Sequence, residues 1–220
     1  MISRRLHQPV LCLITDRKIC GYSNIHEIVG LAVQGGVNMV QIREKDMSSK
    51  DMLVLVKELT TIIDGRALLL VNERLDVAIA SKVDGVHLGE DSFHPSVARE
   101  IVGQSMLVGR SIHSVSGAMN AQAQGADYVI AGSIFQTNSH PDVKPMGVQF
   151  LKELHVNIGI PYIAVGGILD SNIPNVMELG AHGIAVIGAI FDSASPREAA
   201  QNMRIALDNA WKTNSYAGQD

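Results

Sequence analysis

Ala164-Val165-Gly166-Gly167-Ile168 and Gly183-Ile184-Ala185-Val186-Ile187-Gly188 are two short apolar runs that break into glycine. Each precedes a helix-like segment, one beginning near Asn172 and the other near Pro196. Glycine at such a break lets backbone N–H groups approach an oxyanion with no side chain in the way, and a helix N-terminus behind the turn adds partial positive charge. Two such turns about twenty residues apart, late in a chain of 220 residues, point to the phosphate site of a (β/α)8 barrel, formed by the loops after strands seven and eight. That reading requires six more βα units upstream.

The composition permits it. The chain is somewhat short for a barrel, which typically takes roughly 250 residues, but 46% of it is hydrophobic. Aromatic residues make up only 4%, so Val, Ile, Leu, Met and Ala must fill the core, as they do in the layered interior of a parallel barrel. The net charge of −4 gives no basic excess for nucleic-acid binding, and no nucleic-acid partner is expected. Two cysteines, Cys12 and Cys20, are too few for a disulfide framework, and Cys12 reads as a core thiol. The segment Met1 to Pro9 is basic and has no apolar run of the secretory kind. No stretch reaches the ~18 apolar residues of a membrane span, so a soluble, cytoplasmic chain with no membrane partner is expected.

In order, apolar runs alternate with amphipathic segments. The predicted strands are Val10–Thr15, Met39–Arg43, Ala67–Val71, Gly85–Leu88, Leu107–Ser111, Tyr128–Ala131, Pro161–Val165 and Gly183–Ile187. The predicted helices are Asn24–Gln34, a Ser48- or Ser49-capped helix to Ile63 with Leu53, Val56, Leu59 and Ile63 on one face, Asp76–Ser81, Pro95 to just before Gly103, Ser114–Gln124, Gly147–Leu154, Ile173–Leu179 and Pro196 to about Trp211. The tail from Thr213 is polar and expected to fray. The polar loop 136–146 is long enough to act as a lid. Eight units in one register make a single α/β domain over residues 1–220, with its core at about 10–211. An open doubly wound sheet fits less well, because strand one is not followed by a Gly-x-Gly-x-x-Gly turn.

Barrels carry their chemistry at the C-terminal ends of the strands. The ends here supply Thr15, Asp16, Gln41, Arg43, Lys45, Asn72, Glu73, Arg74, His87, Ser111, His113 and Thr137. Gln41, Arg43 and Lys45 alternate, so they point the same way, into the barrel mouth. Together they suit an anionic or heteroaromatic ligand. The competing expectation makes Gln41 a satisfied core amide and pairs Arg43 with Glu44 or Asp46. His113 follows Ser111 by two and is the candidate general acid/base. His87 lines the same mouth. Glu73, Glu90 and Asp91 are hard-oxygen candidates for Mg²⁺, and no His/Cys set suits zinc.

With these residues in place, the chain resembles the thiamin phosphate synthase/TenI superfamily along nearly its whole length. The segments that carry the resemblance are Leu13-Ile14-Thr15-Asp16, Val40 to Lys45, Val71 to Ala78, Asp84 to Gly89, Gly109 to Ser114, Gly125 to Val129 and the two glycine turns. The resemblance implies that Gln41, Arg43, Lys45 and Asn72 hold a pyrimidine and its diphosphate; His87, Ser111 and Thr137 read as substrate-binding from their strand-end positions. It implies that Gly166, Gly167, Ile187 and Gly188 hold a thiazole phosphate. Synthases of the family carry two Mg²⁺-binding Asp residues, which fall here at Glu73 and Ser92. Their Thr-x-Thr-Lys loop reads Thr137-Asn138-Ser139-His140, with Lys144 nearby. TenI-type members are thiazole tautomerases that use a histidine at the position of His113 and need no metal. The altered Asp and Lys positions favour the tautomerase, with His113 catalytic and no cofactor. The alternative is the synthase, with Mg²⁺ at Glu73. A second alternative is a non-catalytic thiazole-phosphate-binding regulator. A homodimer is left open.

Overall fold

The computed structural model describes residues 6–20, 24–137 and 144–217. Eight parallel strands close into a barrel in sequence order, β1 pairing with β8. The strands are β1 Val10–Ile14, β2 Met39–Ile42, β3 Leu68–Asn72, β4 Gly85–Leu88, β5 Leu107–Ile112, β6 Tyr128–Ala131, β7 Tyr162–Val165 and β8 Gly183–Val186. The helices are α1 Arg17–Cys20, α2 Ile25–Gln34, α3 Ser49–Ile63, α4 Leu75–Ser81, α5 Pro95–Val102, α6 Val115–Ala123, α7 Gln149–Asn157, α8 Ile173–Met177, α9 Gly188–Phe191 and α10 Pro196–Ala217. No helix among the described residues is long and apolar enough to cross a membrane.

Near-continuous apolar strands follow from burial on both faces. Alternate residues divide between two cores. Val10, Cys12, Ile14, Met39, Leu70, Leu107, Tyr128, Ile130, Ile163 and Ala185 fill the barrel. Their neighbours, such as Leu11, Leu13, Val40, Ile42, Val86 and Val108, pack outward under the helices. The inner core is built from small and branched chains with one aromatic ring, Tyr128. That ring needs Gly109, since a Cβ there would lie 2.1 Å from Tyr128 Cζ. Burial pushes the Cys12 thiol up to about 12, as expected of an inert core cysteine.

Helix starts follow their caps. Ser48 Oγ accepts from Asp51 N at 3.1 Å, and Ser114 Oγ accepts from Gly117 N at 3.0 Å. The face α3 buries is Met52, Leu55, Val56, Leu59 and Ile63, so Leu53 lies at its edge rather than on it. Four local expectations need correction. A one-turn helix, α1, follows β1. Another, α9, follows β8 directly, so Pro196 does not begin the helix behind the second glycine turn. α7 begins at Gln149, two residues later than expected, and α10 continues to Ala217 through the start of the tail that was expected to fray. Short polar turns that fold only against tertiary neighbours leave little periodic signal. Expectations about residues 1–5, about His140 and the centre of its loop, and about the last three residues of the tail lie outside the described residues.

Candidate active site

A cavity of about 530 Å³ opens at the C-terminal ends of the strands. It brings together Gln41, Arg43, Lys45, Asn72, Glu73, His87, Ser111, His113, Thr137, Gly166, Gly167, Ile187 and Gly188, whereas Thr15, Asp16 and Arg74 of the strand-end set are not on its lining. Period two accounts for this, since 41, 43 and 45 share the parity of inward-facing Met39, and 111 and 113 that of Leu107.

The β2–β3 wall is held from behind. Glu44, of opposite parity, turns away from the cavity and is 3% exposed. Its carboxylate accepts from Thr15 Oγ1 and from Arg17 Nη1, each at 2.7 Å. Thr15 Oγ1 in turn accepts from Arg43 N at 3.0 Å, which pins the backbone that presents Arg43. Asp46 is taken by Arg17 at 2.8 Å and by Lys18 at 3.2 Å. The expected rim pairing of Arg43 with Glu44 or Asp46 is therefore wrong: both acids serve other cations. Arg43 and Lys45 face the cavity with no ion pair to an acid among the described residues.

Gln41 is likewise not a fully satisfied core amide. Its Nε2 donates to Asn72 Oδ1 at 3.0 Å, and Asn72 Nδ2 donates to Glu73 Oε2 at 3.2 Å. Glu73, as a carboxylate, can only accept. It therefore fixes the direction of the whole chain and leaves Gln41 Oε1 buried, without a hydrogen-bond partner among the described residues, on the cavity wall. Glu73 also has φ +60, a left-handed backbone uncommon outside glycine. Its Oε1 occupies space beside Gly89, where a Cβ would come within 2.7 Å.

The β4–β5 wall is anchored in the core. His87 is 1% exposed. Its Nδ1 lies 3.1 Å from Tyr128 Oη and its Nε2 lies 2.9 Å from Ser111 Oγ. Burial, then the charges of Arg110 and Arg43, push its pKa down to about 3, so the ring is neutral at physiological pH. With both nitrogens engaged, His87 is a spacer between core and cavity and not a free acid/base. Above it His113 Nδ1 lies 2.5 Å from Glu90 Oε2, both groups half exposed. Arg110 steadies that loop by donating to the carbonyls of Ser92, at 3.3 Å, and of Phe93 and Glu90. Glu90 and Asp91 line the cavity, whereas Ser92 is not on its lining and gives its carbonyl to this clamp.

Opposite, Gly166 and Gly167 take φ +96 and +63. A Cβ at either would strike the β6 loop, 2.5 Å from Ser133 Cβ or 2.4 Å from Gln136 O. Gly188 and Ala189 open α9, so their amides have no acceptor within the helix. Lys144 is exposed and does not appear on the described cavity lining. Tyr128 and Arg17 were not foreseen from sequence, nor were the partners that Thr15 and Glu44 take. The available signal was Gly109, an inward position left empty opposite an aromatic residue.

This site coincides with a family match. The family described as "Thiamine monophosphate synthase" matches residues 11–190. The chain belongs to the thiamin phosphate synthase/TenI family. It is 41% identical over 197 residues to the "Thiamine-phosphate synthase" of Clostridium botulinum (strain 657 / Type Ba4), covering 89% of this chain and 96% of that one. It is 42% identical over 199 residues to the "Putative thiamine-phosphate synthase" of Geobacter sulfurreducens, covering 90% and 93%. Among solved structures it is similar to a thiamine phosphate pyrophosphorylase from Pyrococcus furiosus, with TM-score 0.84 and 34% identity, over 91% of this chain and 96% of that one. The chain is thus an enzyme of thiamin biosynthesis. The Clostridium and Geobacter relatives carry the synthase's name, so the comparisons favour the alternative expectation over the tautomerase.

Proposed function

We propose that the protein is a thiamin phosphate synthase, joining hydroxymethylpyrimidine diphosphate to a thiazole phosphate with release of pyrophosphate. The observation that carries this reading is the pair Arg43 and Lys45, which face the cavity with no ion pair to an acid among the described residues, beside Gln41, whose buried Oε1 has no hydrogen-bond partner among them. A buried acceptor in a cavity suits a ligand N–H donor, as an amino-substituted pyrimidine provides. Next to it, Arg43 and Lys45 suit the diphosphate that such a ring would carry. The relatives' names support the same reading.

In this reaction the thiazole nitrogen attacks the pyrimidine methylene carbon, and the bond from that carbon to the diphosphate oxygen breaks. The electron pair leaves with the diphosphate, and no proton need move. What the protein must supply is positioning and charge compensation for the leaving group. Arg43 and Lys45 would hold the departing anion, Gln41 would orient the ring, and the Gly166-Gly167 and Ile187-Gly188 turns would hold the thiazole phosphate at the opposite wall. For Mg²⁺ the donor chemistry fits: Glu73 and Asp91 are cavity-lining carboxylates on adjacent strand ends, and Mg²⁺ is commonly held by one or two carboxylates together with substrate phosphates. Bound there, the ion would offset charge on the leaving diphosphate.

The test is pyrophosphate release from the two substrates. It should require Mg²⁺ and be lost in Arg43→Ala; no release at high enzyme concentration would defeat the reading. A second reading, the tautomerase, is favoured by one observation, the 2.5 Å pair of His113 and Glu90. It predicts isomerisation of a thiazole carboxylate phosphate, abolished in His113→Asn while phosphate binding survives.

A further inference from the structure

The polar chain on the β4–β5 wall has a direction that the positions of its hydrogens decide. Tyr128 Oη is fully buried, and its only hydrogen-bond partner among the described residues is His87 Nδ1, at 3.1 Å. A phenol in such a place keeps its proton, and burial raises its pKa well above the ordinary value. If it accepted from Nδ1–H, its own proton would be buried with no acceptor, an arrangement that folded proteins avoid. If it donates, every group is satisfied. Nδ1 then accepts, the ring proton sits on Nε2, and Nε2–H donates to Ser111 Oγ at 2.9 Å. The cationic ring, a donor at both nitrogens, is disfavoured by burial and by the charges of Arg110 and Arg43. Ser111 Oγ, already accepting from the ring, has no other partner among the described residues, and it lines the cavity. Its own proton is therefore available to the cavity alone.

We propose that Tyr128 is a positioning residue that, through the ring of His87, fixes the Ser111 hydroxyl as a hydrogen-bond donor into the cavity, so that this wall takes an anionic oxygen of the ligand. This deepens the synthase reading, in which that oxygen belongs to the diphosphate. Gly109 completes the device, since a Cβ there would lie 2.4 Å from Tyr128 Oη and would bar the phenol from its place.

The test uses the whole protein, ¹⁵N-labelled at histidine. Long-range ¹H–¹⁵N spectra report which ring nitrogen carries the proton, and His87→Gln identifies the His87 signals among those of the eight histidines. The expected result is His87 protonated at Nε2 alone; protonation at Nδ1 would overturn the proposal. This measurement on the unmodified protein decides the direction even if variants fold poorly. The second arm measures binding of inorganic pyrophosphate. Tyr128→Phe should bind it about threefold more weakly, as the bias between the two tautomers is lost. The same substitution in a Ser111→Ala background should have no effect. An equal loss in both backgrounds, or no loss in either, would overturn the role of Tyr128. Absence of synthase turnover with both results intact would instead remove the synthase reading and leave the assignment of Tyr128 standing.

Discussion

The two walls of the cavity are both built from polar chains, but they are anchored at opposite ends. On the β2–β3 side the anchor is a carboxylate at the rim, Glu73, and direction runs outward from Gln41 through Asn72 to it. On the β4–β5 side the anchor is a neutral phenol in the barrel core, Tyr128, and direction runs upward through His87 to Ser111. The first wall therefore shows the ligand an acceptor, and the second a donor. An anchor that only accepts and an anchor that must donate give opposite faces from the same kinds of group. A pocket so divided suits a ligand with an N–H at one side and anionic oxygens at another.

The largest expected effect comes from removing a cation that the β2–β3 wall presents to the cavity. Arg43→Ala should lower kcat/KM for pyrophosphate release by about 100-fold or more, since it removes charge that matters most as the leaving group departs. Steady-state kinetics at saturating Mg²⁺ check it. Next is the acceptor wall. Gln41→Leu removes the unpartnered acceptor and strands Asn72 Oδ1, a loss of about 1–3 kcal/mol, read chiefly as a raised KM for the pyrimidine substrate. An unchanged KM would mean that Gln41 faces no ligand.

Legibility in the sequence followed the same divide. The βα alternation, the inward stripe of Gln41, Arg43 and Lys45 and the two glycine turns could be read because period two and glycine punctuation are local signals. The pairing of Glu44 with Arg17 could not, although Glu44 adjoins Arg43. Neighbours on a strand face opposite ways, and the partner lies twenty-seven residues away. Nor could the neutrality of His87, which comes from burial and from charges on other strands. Tyr128 looked like ordinary core because its function lies in one hydroxyl. The choice between synthase and tautomerase leaned on the loop Lys position and on Ser92, whose carbonyl Arg110 holds and which is not on the cavity lining, while Asp91 beside it is.

Two further effects test the core-anchored wall by stability. Gly109→Ala places a methyl against the Tyr128 ring and should cost about 1–3 kcal/mol, measured as a lowered Tm, while leaving the Gln41 wall intact. For His87, the folded pKa lies at about 3, below the ordinary 6.5, so the folded protein binds fewer protons than the unfolded chain between those values. Stability from this residue is complete above pH 6.5 and is lost as pH falls towards 3, with a slope of about 1.4 kcal/mol per pH unit within that window. Denaturant titrations between pH 7 and pH 4 should show this decline, and it should flatten in His87→Gln. An equal decline in the variant would assign it to other groups.

The most direct test of the central claim is pyrophosphate release when the purified protein is given hydroxymethylpyrimidine diphosphate, the thiazole phosphate and Mg²⁺ together. Release stoichiometric with thiamin phosphate, and absent when either substrate is omitted, is the predicted result. No pyrophosphate, with isomerisation of a thiazole carboxylate phosphate in its place, would contradict it.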